Sequence, residues 1–128
     1  ITGASQQSPD WLAQQGDGWM TYPRDLPTQE KVISSWRKRT EEAGRAPQPA
    51  MQPLYIDLAA DDNALPRPIH LGFRLGIKYL RAYLKALENL GINHVALNLR
   101  CNQAEIPATL KRIAEELLPD FPTHTGLE

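Results

Sequence analysis

Residues 1–22 read ITGASQQSPDWLAQQGDGWMTY and set the repeat on which the rest of the chain is built. A short extended segment at residues 1–3 passes through small residues into a helix that is capped by Ser8 and ended by Gly16. A second extended segment follows directly at residues 18–22. An extended segment followed by a helix is the βα unit from which parallel sheets are built.

The same alternation is predicted to continue to the end of the chain. Apolar spacings of three and four, with glycine or proline stops, predict three further helices, at residues 27–43, 76–90 and 103–118. Two further extended segments are predicted at residues 52–59 and 92–100. The connection at residues 60–75 is longer than a usual loop and is expected to be a surface excursion.

Four βα units fit either a small doubly wound sheet or half of an eight-unit (β/α)8 barrel. In residues 52–59, the side chains of Leu54, Ile56 and Leu58 share one face, whereas Tyr55 and Asp57 share the other. A sheet covered by helices on both sides should be apolar on both faces, so one apolar and one mixed face favours the barrel. We expect an α/β half-barrel over residues 1–122, followed by a tail at residues 123–128.

Composition limits the class of protein. The chain has 128 residues, 41% of them hydrophobic and 23% charged, and a net charge of -1, which is typical of a globular domain. Interleaved charges give no basic face for nucleic acid, and no apolar run reaches the length of a membrane span. The single cysteine, Cys101, favours the cytoplasm. Because the chain begins with Ile1 in an extended segment, we expect a piece of a longer protein.

The turn at residues 3–8 has the features of a phosphate site. Small side chains let the backbone approach a ligand, free N–H groups collect at the start of a helix, and Ser5 and Ser8 add hydroxyl groups. The chain contains neither a Walker lysine nor a Gly-x-Gly-x-x-Gly fingerprint. A tight turn in which Ser8 only caps its helix is the equal alternative.

The next extended segment ends in Thr21 and Tyr22, a hydroxyl and an aromatic side chain against which a planar cofactor could lie. The competing interpretation is that Trp19 and Tyr22 are core aromatics.

These two segments, in this order, resemble the bacterial luciferase-like, flavin-dependent oxidoreductase family. The resemblance continues in Trp36-Arg37, in Glu42-Ala43-Gly44-Arg45 and in the run at residues 87–95. It covers nearly the whole chain and corresponds to the last four βα units of the family's barrel.

The resemblance implies a flavin site. The family's fifth-strand turn holds the FMN phosphate, and a Ser-Trp pair after its sixth strand contacts the flavin, which here implies cofactor binding by Gly3, Ala4, Ser5, Ser8, Thr21 and Tyr22. Luciferases have an acidic residue where Ala4 stands. FMN is the implied cofactor, with the deazaflavin F420 as the other option, and no catalytic residue can be assigned because those residues belong to the family's N-terminal half.

The implied activity is that of a monooxygenase, in which reduced flavin activates O2 against a small organic substrate. The family further implies a flavin reductase as partner. The cut edges of a half-barrel, at residues 1–3 and 92–99, would present unpaired backbone, so we expect a homo-oligomer. We expect the isolated piece to be inactive. Two alternatives stay open: a flavin-binding barrel without turnover, and a complete α/β domain that binds a phosphorylated ligand.

The other polar residues carry weaker expectations. His94 is expected to be a satisfied core histidine, and Asp57 is expected to form a structural ion pair with His94 or Arg100. His70 and Arg74, in the long connection, could contact substrate. No group of residues has metal-ligand spacing.

Overall fold

The computed structural model describes residues 1–4 and 6–123, which form a mixed α/β fold. Its elements follow the chain in this order: α1 (Pro9–Gln15), β1 (Trp19–Met20), α2 (Leu26–Glu42), β2 (Ala50–Leu58), β3 (Arg67–Ile69), β4 (Gly72–Leu75), α3 (Ile77–Leu90), β5 (His94–Asn98), α4 (Ile106–Glu116) and a 3-10 turn (Leu118–Asp120). The four predicted helices are confirmed. No helix in the described ranges combines the length and the apolar character that a membrane crossing requires.

Strands of the βα units lie in the sheet in the order in which they follow along the chain. Thr2 forms a parallel bridge to Met20 of β1, and β1 and β5 each pair in parallel with β2. The carbonyl of Met51 accepts a hydrogen bond from the β1 side, whereas the carbonyl of Ala50 accepts one from the segment before β5. Because successive residues of a strand direct their backbone groups to opposite edges, β1 and β5 lie on opposite sides of β2.

This order distinguishes the two architectures that the sequence allows. A doubly wound sheet reverses its strand order at a switch point, whereas a (β/α)8 barrel adds each strand beside the previous one. Residues 1–3, β1, β2 and β5 follow the second pattern. The half-barrel prediction is therefore confirmed.

Strict alternation of strand and helix is wrong at one place. The long connection after β2 contains an antiparallel hairpin, β3–β4, whose second strand pairs in parallel with residues 55–58 of β2. β4 and β1 lie on the same edge of β2. Because β1 pairs only with residues 50–51, it leaves that edge free at residues 55–58, where β4 pairs. The hairpin fills the edge where β1 has already ended.

One face of the sheet is packed against the helices, as the alternation in β2 predicts. Leu54, Ile56 and Leu58 are buried and join side chains of α2, α3 and α4 in one core. Met51, Pro53 and Tyr55 on the other face are only partly buried, and in β5 the side chains of His94, Ala96 and Asn98 are exposed on it. We call this second side the open face.

Two arginines in the segments that carry the family resemblance connect neighbouring elements near the N-terminal ends of the strands. Arg37 stacks on the ring of Trp36 and donates to the carbonyl of Gly91 at 2.7 Å and to Asn93 Oδ1 at 2.9 Å. Arg45 donates to the carbonyls of Ala13 and Gly16 at the end of α1. These contacts join α2 and the residues after it to α1 and to the segment before β5. The two arginines therefore have a structural role here.

Candidate functional site

The predicted cofactor residues that the structure describes lie at the carboxyl end of the sheet. In parallel strands the carboxyl ends meet at the same edge, and ligands of α/β folds bind there. Gly3 ends the first extended segment and Ala4 follows it, and Thr21 and Tyr22 follow β1. Ser5 lies outside the described residues.

Gly3 and Tyr22 are in direct contact across this edge. A Cβ built on Gly3 would lie 3.1 Å from Cε2 of Tyr22, and Gly3 has a φ of +58°, which favours glycine. The N–H of Gly3 donates to the carbonyl of Met20 at 2.7 Å, and the indole N–H of Trp19 donates to the carbonyl of Gly3 at 2.8 Å. Gly3 therefore lets the Tyr22 ring approach the turn closely, and its own backbone polar groups are already paired.

The rest of the turn retains free donors. The carbonyl of Ala4 accepts from the N–H of Gln7, and Oγ of Ser8 caps α1 by accepting from the N–H of Trp11. Since that oxygen acts as an acceptor, the hydroxyl hydrogen of Ser8 is left to donate to another group. Within residues 1–4 and 6–123 the N–H groups of Ala4 and Ser8 have no acceptor, and both residues are exposed.

Negative charge near this turn is compensated. Asp10, in the first turn of α1, forms an ion pair with Arg39 of α2. The carboxylate would otherwise repel an anion bound at the turn, so this pair keeps the turn open to one.

The two residues that follow β1, Thr21 and Tyr22, differ in their exposure to solvent. Tyr22 is 56% exposed, whereas Thr21 is 1% exposed and its Oγ1 accepts from Arg24 Nη1 at 2.6 Å. Trp19 is a core aromatic that contacts Trp36, with ring centroids 5.5 Å apart. The core interpretation therefore holds for Trp19 and fails for Tyr22.

Thr21 belongs to a buried polar chain beneath Tyr22. Arg24 Nη1 also donates to Gln29 Oε1 at 3.0 Å, and Gln29 Nε2 donates to Gln52 Oε1 at 2.7 Å and to the carbonyl of Tyr22 at 3.2 Å. Gln29 and Gln52 are fully buried. This chain fixes the backbone that presents Tyr22 to solvent.

The chain of hydrogen-bonded polar side chains ends at Gln52, which lies beside Tyr83 of α3. Its Nε2 has no acceptor among the described residues. Burial raises the pKa of the Tyr83 hydroxyl, and the neighbouring amide of Gln52 acts in the opposite direction.

A second group of polar side chains lies at the upper end of the open face. Tyr55 of β2 and Asn98 of β5 are register partners, and His70 at the hairpin turn approaches Tyr55 with ring centroids 6.1 Å apart. Sequence reasoning placed His70 in a loop near substrate but had no signal for this contact, because the hairpin itself was not predicted.

Two expectations about charged residues are wrong. His94 is exposed on the open face rather than buried, because no described element covers the side of β5 on which it lies. Asp57 pairs with Arg74 rather than with His94 or Arg100, at 2.7 Å between Oδ2 and Nη1. The unpredicted hairpin brings Arg74 to Asp57, since the two are register partners of β4 and β2.

A groove of about 640 Å³ lies on the helix side of the hairpin, and none of the predicted cofactor residues lines it. It lies between residues 23–27, the hairpin and the tyrosines of α3. A second groove of about 600 Å³ along α2 is also lined by none of them.

Comparison with solved structures adds independent evidence on the fold. The monooxygenase RslO1 from Streptomyces bottropensis matches with a TM-score of 0.70 at 16% identity, over 95% of this chain and 47% of that one. The long-chain alkane monooxygenase LadA matches with a TM-score of 0.69 at 11% identity, over 99% and 42%. The fold is a luciferase-like half-barrel.

A third match of this half-barrel is an F420-dependent secondary alcohol dehydrogenase in complex with an F420-acetone adduct, with a TM-score of 0.56 at 14% identity over 76% of this chain and 41% of that one. The half-barrel thus spans less than half the length of these three structures. No protein-family model and no curated protein sequence matches the chain.

Proposed function

We propose that this luciferase-like half-barrel anchors the cofactor of an FMN-dependent oxidoreductase of the monooxygenase type. The contact between Gly3 and Tyr22 carries the proposal, because it joins the small-residue turn to an exposed aromatic side chain at the carboxyl edge of the sheet. Two of the matched structures are named monooxygenases and a third uses F420, which supports a flavin or a deazaflavin at this edge.

The turn at residues 3–8 would hold the flavin phosphate. The N–H groups of Ala4 and Ser8 and the hydroxyl of Ser8 are donors without another acceptor in the described ranges, and Ser5 adds a second hydroxyl. Donors collected before a helix favour a phosphate. Gly3 contributes by making room for the Tyr22 ring beside the turn, since its own N–H is bonded to Met20.

Tyr22 would contact the organic part of the cofactor, and Thr21 would act indirectly by holding Arg24 beneath it. Bound flavin would supply the electrons for activation of O2, and this chain would bind and orient the flavin. We propose that further βα units complete the barrel, that the protein works in the cytoplasm as a homo-oligomer, and that it uses a small organic substrate and a flavin reductase.

A comparison of FMN with riboflavin, which lacks the phosphate, tests the anchor. We expect the chain to bind FMN about tenfold or more tightly than riboflavin, since a charge-assisted hydrogen bond contributes about 1.5–3 kcal/mol. The Ser8→Ala variant should reduce that preference and leave riboflavin binding unchanged, as measured by quenching of flavin fluorescence.

The matched control is Asp25→Ala, which removes the side-chain cap of a different helix, α2. Hydrogen bonds from the Thr28 hydroxyl and backbone N–H hold the pKa of Asp25 below its usual range, so it is charged when it caps. Asp25→Ala should lower stability as Ser8→Ala does, with the FMN preference intact. Equal affinity for FMN and riboflavin in the unaltered chain would contradict the phosphate site.

Turnover is tested with the complete protein. Oxidation of supplied reduced flavin above the uncatalysed rate supports the monooxygenase, whereas flavin binding without turnover supports the flavin-binding barrel. Tight binding of a phosphorylated ligand other than flavin by a monomeric chain supports the stand-alone α/β domain.

A further inference from the structure

The hairpin is locked onto β2 by features that have no role in the proposed cofactor anchor. A Cβ on Gly72 would lie 1.7 Å from the carbonyl oxygen of Tyr55, so only glycine fits at this close approach. The N–H of Tyr55 donates to the carbonyl of Leu71 at 3.1 Å. These contacts fix the hairpin turn beside one residue, Tyr55.

The turn is also strained. Leu71 has a φ of +54°, a region that non-glycine residues rarely occupy and that costs about 1 kcal/mol or more. Backbone strain of this kind persists where the surrounding structure imposes it, and it concentrates at ligand sites. Here it presents the preceding residue, His70, to the ring of Tyr55.

The two rings form a small aromatic wall, which we define as Tyr55 and His70. Their planes are inclined by 39°, with centroids 6.1 Å apart, which is within the range of interacting aromatic pairs. His70 is exposed and Tyr55 is partly exposed. In the described part of the chain, neither the Tyr55 hydroxyl nor the His70 imidazole has a hydrogen-bond partner.

The residues around the aromatic wall are polar and lie on the open face. Asn98 is the register partner of Tyr55, and its side chain is exposed on the open face. Arg74, on the hairpin strand beside Tyr55, has its charge matched by Asp57. A ligand at the wall therefore meets two aromatic rings, the side-chain amide of Asn98, whose Oδ1 already accepts from the N–H of Arg100, and no uncompensated carboxylate.

The geometry points to the aromatic wall as a binding site for a planar conjugated ring that carries a polar substituent. On the proposed function, this ring belongs to the organic substrate, held beside the flavin at the carboxyl edge of the sheet. The isoalloxazine ring of the flavin is the other source of the same chemistry, and the two sources are separated by competition.

The test uses the full chain and two probes of the same skeleton. Naphthol is planar and carries one hydroxyl group, and decahydronaphthol is its saturated, non-planar counterpart. We expect naphthol to bind about fivefold or more tightly than decahydronaphthol, as measured by calorimetry, because only the planar ring stacks. The His70→Ala variant should remove most of this preference, and Tyr55→Leu should remove it entirely.

The matched control is His94→Ala, which removes another exposed histidine, at the end of β5 opposite to Asn98, and should leave the preference unchanged. Circular dichroism would show whether Tyr55→Leu is folded, while His70→Ala changes only an exposed turn residue. If riboflavin displaces naphthol, the ring bound at the wall is the flavin's. If riboflavin does not displace naphthol, the ring is the substrate's.

Equal binding of the two probes, or a preference that survives His70→Ala, overturns the inference. Binding of FMN with dependence on Ser8, in a chain that does not distinguish the probes, would mean that the inference alone fails. A chain that distinguishes the probes and binds neither FMN nor F420 would mean that the proposed function alone fails.

Discussion

Asp57 and Arg74 form an ion pair between β2 and β4, with Oδ2 and Nη1 2.7 Å apart and only 4% of the Asp57 side chain exposed. The second carboxylate oxygen, Oδ1, accepts from the N–H of Gln103 at 3.0 Å. One buried carboxylate thus joins β2, the hairpin and the loop that leads to α4. It connects the elements that form the upper end of the open face.

Removal of Arg74 should be costly because it leaves the Asp57 carboxylate buried without its counter-ion. We expect Arg74→Met to lower the free energy of unfolding by about 2–3 kcal/mol, at the low end for buried pairs since Arg74 itself is partly exposed. Urea denaturation measures this. Arg39→Met, which breaks the exposed pair with Asp10, should cost less than about 1 kcal/mol, and equal losses in the two variants would argue against the structural role of Asp57.

Gly72→Ala should displace the hairpin, because the added methyl group would overlap the backbone of Tyr55. The expected loss of stability is about 2–3 kcal/mol, typical of severe overpacking. Gly44→Ala is the control: Gly44 has a φ of +72° with no atom within 4 Å of the position that a methyl group would take, so only conformational strain of about 1 kcal/mol is expected. A smaller loss for Gly72→Ala than for Gly44→Ala would show that the hairpin is not locked.

The pair of buried glutamines should be coupled. Gln29→Leu leaves Gln52 Oε1 without its 2.7 Å donor and should cost about 1–3 kcal/mol. Replacement of both Gln29 and Gln52 by leucine removes both amides of this hydrogen bond. The double variant should therefore recover at least half of the stability that Gln29→Leu loses. A double-mutant cycle on urea midpoints measures the coupling energy, and strictly additive effects would show that the two amides are independent.

Stability should decline in alkali because of Tyr83. Its pKa is raised in the folded chain above the ordinary value of 10.0, so the unfolded chain loses this proton first. The stabilisation is complete below pH 10.0 and is lost as the pH rises through the folded pKa. Tyr83→Phe should make the decline of the unfolding free energy above pH 10.0 shallower, and an unchanged slope would assign the decline to other groups.

The elements that local signals specify were predictable. Ser8 and Pro9 begin α1 and Gly91 ends α3 in a left-handed conformation, because caps and stops depend on a few neighbouring residues. The alternation in β2 likewise identified the face that packs against the helices. The turn at Gly3 and Ser8 was recognised as a candidate site for the same reason, since its features lie within one short stretch.

The hairpin and everything that depends on it were not predictable. Arg67–Ile69 and Gly72–Leu75 are short and include a proline and two arginines, so they have no clear alternating pattern of their own. They become strands because the edge of β2 beyond β1 offers unpaired backbone groups. The partner of Asp57 and the position of His70 follow from that pairing.

The sequence by itself thus determined the four βα units, the packed face of the sheet and the location of the small-residue turn, since each rests on local periodicity and capping. Only the tertiary structure decided that the strands of these units lie in chain order, that Tyr22 covers Gly3 while Thr21 is buried, and that His70 meets Tyr55. The reason is physical: those relationships depend on which backbone edges remain free after the first strands have paired, and that is a property of the assembled sheet.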